Sequence, residues 1–217
     1  MKTIRIRLAC AVCAASLLMG ASSLFAQAER RALPAPQTEG GMPLMEALKA
    51  RRSQRAYSAR KLSDQMLANL LWAADGINRD DGRRTAPSAM NWQEVDVYVT
   101  TAEGCYLYDA KAKDLAVIST EDARALTGMQ PFVKDAPLNL VYVADYARIT
   151  GGSEESKLSN SSADVGFISQ NVYLFCASEG LATVVRGGVN RVPLAKSLKL
   201  RPEQKIVLAQ TVGYPAE

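Results

Sequence analysis

The feature that most limits what this chain can become is the run Leu138-Asn139-Leu140-Val141-Tyr142-Val143-Ala144, which is nearly unbroken in apolar residues. A strand with one wet face alternates apolar and polar side chains. A run apolar at both parities therefore predicts a central strand covered on both faces. The sequence supplies helices to cover it. Ser63 can cap a helix in which Leu67, Leu70, Leu71 and Ala74 recur at i, i+3, i+4 and i+7 up to Gly76, with Leu62 and Leu67 spaced as a hydrophobic staple. Val165, Ile168, Val172, Phe175 and Cys176 place another helix over Ala163 to Glu179, ended by Gly180. Phe167, Tyr173 and Leu174 make that helix apolar around most of its girth, which predicts a place in a core or a subunit interface.

The remaining elements follow from the same periodicities. Pro43 suits a first helical position, with Leu44, Ala47 and Leu48 on one face of a short helix ending near Arg51. Val95, Val97 and Val99 alternate with Asp96, Tyr98 and Thr100 as in a half-buried strand, and Tyr106 to Tyr108 with Leu115 to Ile118 read as a hairpin. Glu121 to Thr127 is read as a short helix stopped by Gly128. Gly151 to Ser162, polar and rich in Gly and Ser, is read as a mobile surface loop. Leu181 to Val185 and Ile206 to Val212 are expected strands, and Val192 to Leu198 a short helix. No internal repeat is evident.

At the N-terminus, Lys2, Arg5 and Arg7 precede an apolar run from Leu8 to Met19, a Gly20 break and small residues through Ala28. This pattern is that of a secretory signal peptide over residues 1–28, with Ala26 and Ala28 as candidate cleavage positions, and it implies an exported, periplasmic protein. The run is shorter than the roughly 20 apolar residues of a spanning helix. Residues 29–41, with Pro34, Pro36, Gly40 and Gly41, suit a flexible lead-in to a single domain at 42–217. Loss of the leader removes three basic residues and no acids, so the net charge of +4 becomes +4 − 3 = +1. A chain so near neutrality lacks the general electrostatic footprint of a nucleic-acid binder, and its cationic clusters must be read locally.

Chemistry is narrowed by what the chain lacks. It has no histidine, which removes histidine-based triads, histidine-ligated zinc and imidazole proton shuttles together. Beyond the leader only Cys105 and Cys176 remain, and they are read as a free thiol and a buried small hydrophobe rather than a bridge.

Three clusters stand out. Arg51-Arg52-Ser53-Gln54-Arg55 offers three guanidiniums and a hydroxyl, a set suited to a phosphate but equally the composition of a solvated basic helix end. Pro87-Ser88-Ala89-Met90-Asn91-Trp92-Gln93 presents a hydroxyl and two carboxamides, donors and acceptors that fit the rim of a flat heteroaromatic ring, or an ordinary capped turn. Gly187-Gly188 follows a strand ending at Arg186 and would let backbone N–H groups approach a ligand, or form a plain turn.

In this order the three clusters resemble the nitroreductase family. The likeness runs from Pro43 to Pro215, and it includes Asp135-Ala136-Pro137 before an apolar strand and Ala163-Asp164 and Gln170-Asn171 on a helix leading to Gly180-Leu181. It is nearest to the shorter exported members and the SagB-like oxidases. The resemblance implies an α+β fold with a mixed, mostly antiparallel sheet flanked by helices, a homodimer, and FMN as cofactor. It implies that Arg51, Arg52, Ser53 and Arg55 hold the phosphate and ribityl tail. Pro87, Ser88, Ala89 and Asn91 would line the flavin, typically from the partner subunit, while the backbone at Arg186, Gly187 and Gly188 meets the N5 and O4 edge. Arg186 is a candidate for a charge that stabilises the reduced ring, or else an exposed surface arginine. Many members carry a further basic residue after the C-terminal Gly-Tyr, whereas this sequence reads Gly213-Tyr214-Pro215-Ala216-Glu217.

The implied activity is ping-pong oxidoreduction of a small organic substrate such as a nitro compound or quinone, with the hydride carried by the flavin and no side chain as acid or base. NAD(P)H is not expected outside the cytoplasm, so another reduced carrier is an alternative donor. A non-enzymatic exported flavin carrier is the alternative function.

Overall fold

The computed structural model describes residues 29–216, and the leader read at residues 1–28 lies outside them. The strands β1 (Arg30–Ala32), β2 (Val95–Thr101), β3 (Gly104–Asp109), β4 (Asp114–Ser119), β5 (Leu138–Asp145), β6 (Ala182–Arg186) and β7 (Gln204–Gly213) form one sheet in the order β1-β4-β3-β2-β5-β7-β6. The helices are α1 (Leu44–Ala50), α2 (Asp64–Asp75), α3 (Glu154–Ser178) and α4 (Arg191–Ser197). The fold is α+β as expected, and every pairing among the described strands is antiparallel.

β5 sits inside the sheet between β2 and β7 and is buried at every position, which its uninterrupted apolar sequence requires. Leu138, Leu140, Tyr142 and Ala144 pack with Leu67, Leu70, Leu71 and Ala74 of α2 and with Val165, Ile168 and Val172 of α3. Val141 and Val143 face the opposite layer, meeting Leu194 and Leu198 at α4 together with Tyr98 and Ile206. The strand thus joins two cores. Each fully buried leucine in them stabilises the fold by about 1.5–3 kcal/mol. The Ser63 cap forms as its sequence predicts, with Oγ accepting the Met66 N–H at 3.2 Å.

Three elements differ from their sequence reading. The polar segment Gly151–Ser162 is helical from Glu154, because Ser153 caps it by accepting the Ser156 N–H and Glu154 and Glu155 face the positive end of the helix dipole. Much of this first part of α3 is exposed, so a loop-like composition suits it. Glu121–Thr127 forms only a single 3-10 turn at Arg124–Leu126, where Arg124 is held by Asp122 and the Ala136 carbonyl. The lead-in contributes β1, paired with β4, and then follows α2, with the Gln37 N–H donating to Asn69 Oδ1 at 2.8 Å. Arg30 bridges Asp109 and Asp114, and Arg31 pairs with Asp64, so charges on distant elements fix a stretch whose local composition suggests freedom.

Cys105 and Cys176 are both buried and free. Burial pushes the Cys105 thiol up to about 11. Among the described residues no helix is long and apolar enough to cross a membrane.

Candidate functional site

The site is organised by the exposed edge of β6, the last strand of the sheet. Ala182, Val184 and Arg186 pair with Gly213, Thr211 and Ala209, so the alternation of an antiparallel ladder turns the groups of Thr183 and Val185 away from the sheet. An edge of this kind needs partners. The arm that leaves α1 supplies one, with the Gln54 N–H donating to the Thr183 carbonyl at 2.9 Å. Tyr173 on α3 supplies another: its hydroxyl accepts the Val185 N–H at 3.0 Å and lies 2.8 Å from Ser53 Oγ.

Farther along the arm, the Ser58 N–H donates to the Tyr214 carbonyl and the Ala216 N–H to the Ala56 carbonyl, so the C-terminal segment backs it. Arg52, Ser53 and Arg55 are exposed and Arg51 is half-buried, its guanidinium 5.3 Å from the centre of the Tyr173 ring. None of these three arginines has an acidic partner among the described residues. Within the chain the cluster is left unneutralised on a braced arm, a composition suited to an anion.

The first and third sequence clusters therefore meet along one edge. Gly187 and Gly188 are exposed, and a Cβ on either would make only ordinary contacts, 3.8 Å to Leu208 Cδ2 and 3.9 Å to Met129 Sδ. The chain's own packing leaves room for side chains there, so bare backbone is available to a ligand.

Arg186 is not the exposed arginine that was one of its two readings. It is 6% exposed, and its guanidinium donates to the Thr127 carbonyl, Asn139 Oδ1 and Thr211 Oγ1 at 2.6, 2.9 and 2.7 Å. Among the described residues no acid pairs with it and Nε has no partner, and burial lowers its affinity for the proton to about 10. A buried cation held only by neutral acceptors keeps its charge largely uncompensated beside the Gly187-Gly188 edge.

The second cluster lies elsewhere. The Ala89 N–H donates to Asp164 Oδ2 at 2.9 Å, which fixes the Pro87–Gln93 loop to the N-terminal half of α3. Asp164 and Tyr173 are nine residues apart, about 13 Å along a helix axis. Within one chain the loop and the arm do not share a pocket. The loop is strained: Met90, Asn91 and Gln93 have φ of 50°, 55° and 47°, and Met90 is 82% exposed. Three non-glycine residues in the left-handed region within four positions is a concentration of the kind found at ligand sites. Next to the loop in sequence, Glu94 is wholly buried with neither carboxylate oxygen hydrogen-bonded among the described residues, and burial raises its affinity for the proton.

The model described as Nitroreductase family matches residues 48–214. The chain belongs to the nitroreductase family. A Methanocaldococcus jannaschii protein named as a nitroreductase is 31% identical over 168 residues, 73% of this chain and 85% of the relative. The crystal structure of a Ralstonia eutropha JMP134 protein, also named as a nitroreductase, is 40% identical with a TM-score of 0.83, covering 88% of this chain and 92% of its own. A Desulfovibrio desulfuricans member crystallised in complex with FMN shares the fold at 23% identity and a TM-score of 0.59, over 83% of this chain and 89% of its own.

For this nitroreductase-family chain, sequence reading found the arm and the glycine edge but not the residues that brace them. Tyr173 gives no local signal, since its partner Ser53 is 120 positions away. Arg84, which ties Gln93 to Asp75 at the end of α2, stands in what reads as a plain loop.

Proposed function

We propose that this chain is an FMN-dependent oxidoreductase acting as a homodimer on a small organic substrate by a ping-pong mechanism. The observation that carries the reading is the arm of unpaired arginines braced against the strand edge that runs into Gly187-Gly188. Bound FMN would supply the redox chemistry, accepting and returning a hydride at N5. The chain's residues then have separable tasks. Arg51, Arg52, Ser53 and Arg55 bind the phosphate through charge-assisted hydrogen bonds. The backbone at Gly187 and Gly188 holds the ring edge, and the uncompensated Arg186 favours negative charge there. No histidine is needed in any of these roles.

The second copy has two tasks in this reading. It brings its Pro87, Ser88, Ala89 and Asn91 to a site that one chain leaves incomplete, and it covers apolar surface. Leu44, Met45 and Leu48 on α1 are 62%, 75% and 44% exposed, and Phe167 on α3, which packs beside α1, is 47% exposed. Four large apolar side chains exposed on two helices that pack together are a surface a second copy would cover. The D. desulfuricans relative crystallised with FMN supports the choice of cofactor.

The decisive experiment is an absorbance spectrum of the purified protein, which should show bound flavin, repeated on the double variant Arg51→Ala with Arg55→Ala, which should show none. Unchanged flavin content would refute the phosphate assignment. Rapid reoxidation of reduced protein by quinones or nitroaromatics separates an enzyme from a carrier. We further infer an exported protein, cleaved at Ala26 or Ala28. Cleavage there leaves Glu29 in place, whose carbonyl accepts the Val117 N–H beside β1. N-terminal sequencing of the periplasmic fraction tests it. The electron donor in that compartment is NAD(P)H or another reduced carrier, and stopped-flow reduction with each distinguishes them.

A further inference from the structure

We propose that Tyr173 is a positioning residue for the phosphate end of the site, setting the direction in which the Ser53 hydroxyl presents its proton. The inference rests on the FMN reading above and adds a residue that no motif marks.

The Tyr173 side chain is buried, at 7% exposure, and its hydroxyl has two polar neighbours, the Val185 N–H at 3.0 Å and Ser53 Oγ at 2.8 Å. The amide can only donate, so it occupies a lone pair of the phenol oxygen. Among the described residues the phenol hydrogen then has one acceptor within reach, Ser53 Oγ, and leaving it unmade inside the protein would cost the full desolvation of an O–H group. Tyr173 therefore donates to Ser53, whose own hydrogen is left for an acceptor outside the pair. Ser53 is exposed, so that acceptor comes from outside the chain. The Tyr173 ring meanwhile seats the Arg51 guanidinium over its face. One side chain thus aims a neutral donor and a cation at the same place, an arrangement complementary to an anion and not to a second donor.

The test compares FMN with riboflavin, which lacks the phosphate, by titrating the apoprotein and following flavin fluorescence. Tyr173→Phe keeps the ring under Arg51 and removes the O–H. Its FMN affinity should fall about tenfold, the worth of a weakened hydrogen bond to a charged group, while riboflavin affinity is unchanged. Ser53→Ala should give a loss also confined to FMN, and the double variant should be no weaker than Ser53→Ala alone, since both changes remove one proton path. Equal losses for the two ligands, or additive losses in the double variant, would overturn the proposal. Should Tyr173→Phe fail to fold, Ser53 decides: Ser53→Thr retaining FMN where Ser53→Ala loses it supports the proposal, and Ser53→Ala matching the wild type overturns it. Wild-type protein that takes up neither ligand overturns the flavin reading and this inference with it. Wild-type protein that binds FMN while the variants fail these comparisons overturns the inference alone.

Discussion

Replacing Arg84 with methionine should lower the stability of this protein by an amount that grows as pH rises above the wild-type Asp75 titration. Asp75 closes α2 with 4% exposure, and Arg84 donates Nη1 to both its carboxylate and its carbonyl while Nε reaches Gln93 Oε1 at 3.1 Å. Burial raises the Asp75 carboxyl to about 7 against the opposing pull of Arg84. Removing one member of a buried pair costs about 3–5 kcal/mol, because the other charge stays buried and unmet. For a domain of this size each kcal/mol moves the midpoint by roughly 2–4 °C, so the full loss, a fall of about 6–20 °C, is expected only well above the Asp75 titration near pH 7.

The sign with pH is fixed by the same residue. Its folded affinity for the proton exceeds the unfolded value of 3.8, so its contribution to stability is fully present below that pH and is lost as pH rises towards 7. Without Arg84 the carboxyl moves higher still, and the folded variant takes up a proton that neutralises it. The deficit against wild type should be small near pH 5 and largest near pH 8, read from urea melts by tryptophan fluorescence. Asp75→Leu combined with Arg84→Met should recover most of the loss at pH 8, since neither charge remains to be buried. A single variant within about 1 kcal/mol of wild type at pH 8, or a deficit equal at both pH values, would refute this reasoning.

Two further outcomes follow from the packing. A Cβ at Gly128 would lie 2.0 Å from Arg186 Nη1 and 2.9 Å from Val133 Cγ1, so Gly128→Ala should lower stability by about 1–3 kcal/mol in a thermal melt, displacing the guanidinium from the Thr127 carbonyl. If the apolar face of α1 and α3 is a subunit contact, the melting midpoint should fall on dilution, and Phe167→Glu should abolish that concentration dependence.

The sequence announces elements whose neighbours matter little to their pattern. β5 is legible because burial on both faces leaves no polar parity, and α2 because its stripe and its cap are local. The arginine arm and the glycine edge are legible as composition. What escapes is whatever depends on contacts across the fold: Arg30 of β1 is held by acids more than 70 positions away, and Arg186 is buried by neutral acceptors on three separate segments. The opening turns of α3 escape for a different reason, since an exposed helix end rich in Ser and Asn has the composition of a loop and only Ser153, Glu154 and Glu155 mark where it begins.

The position of β7 sets the order in which this molecule can be assembled. It lies between β5 and β6, yet it follows both in the chain, and the arm at Arg51–Arg55 rests on β6 and on residues that follow β7. A nascent chain can emerge with its arginines and most of its helices and still present no finished groove. A small molecule that requires both the arm and the β6 edge can be held only once β7 has paired with β5 and β6.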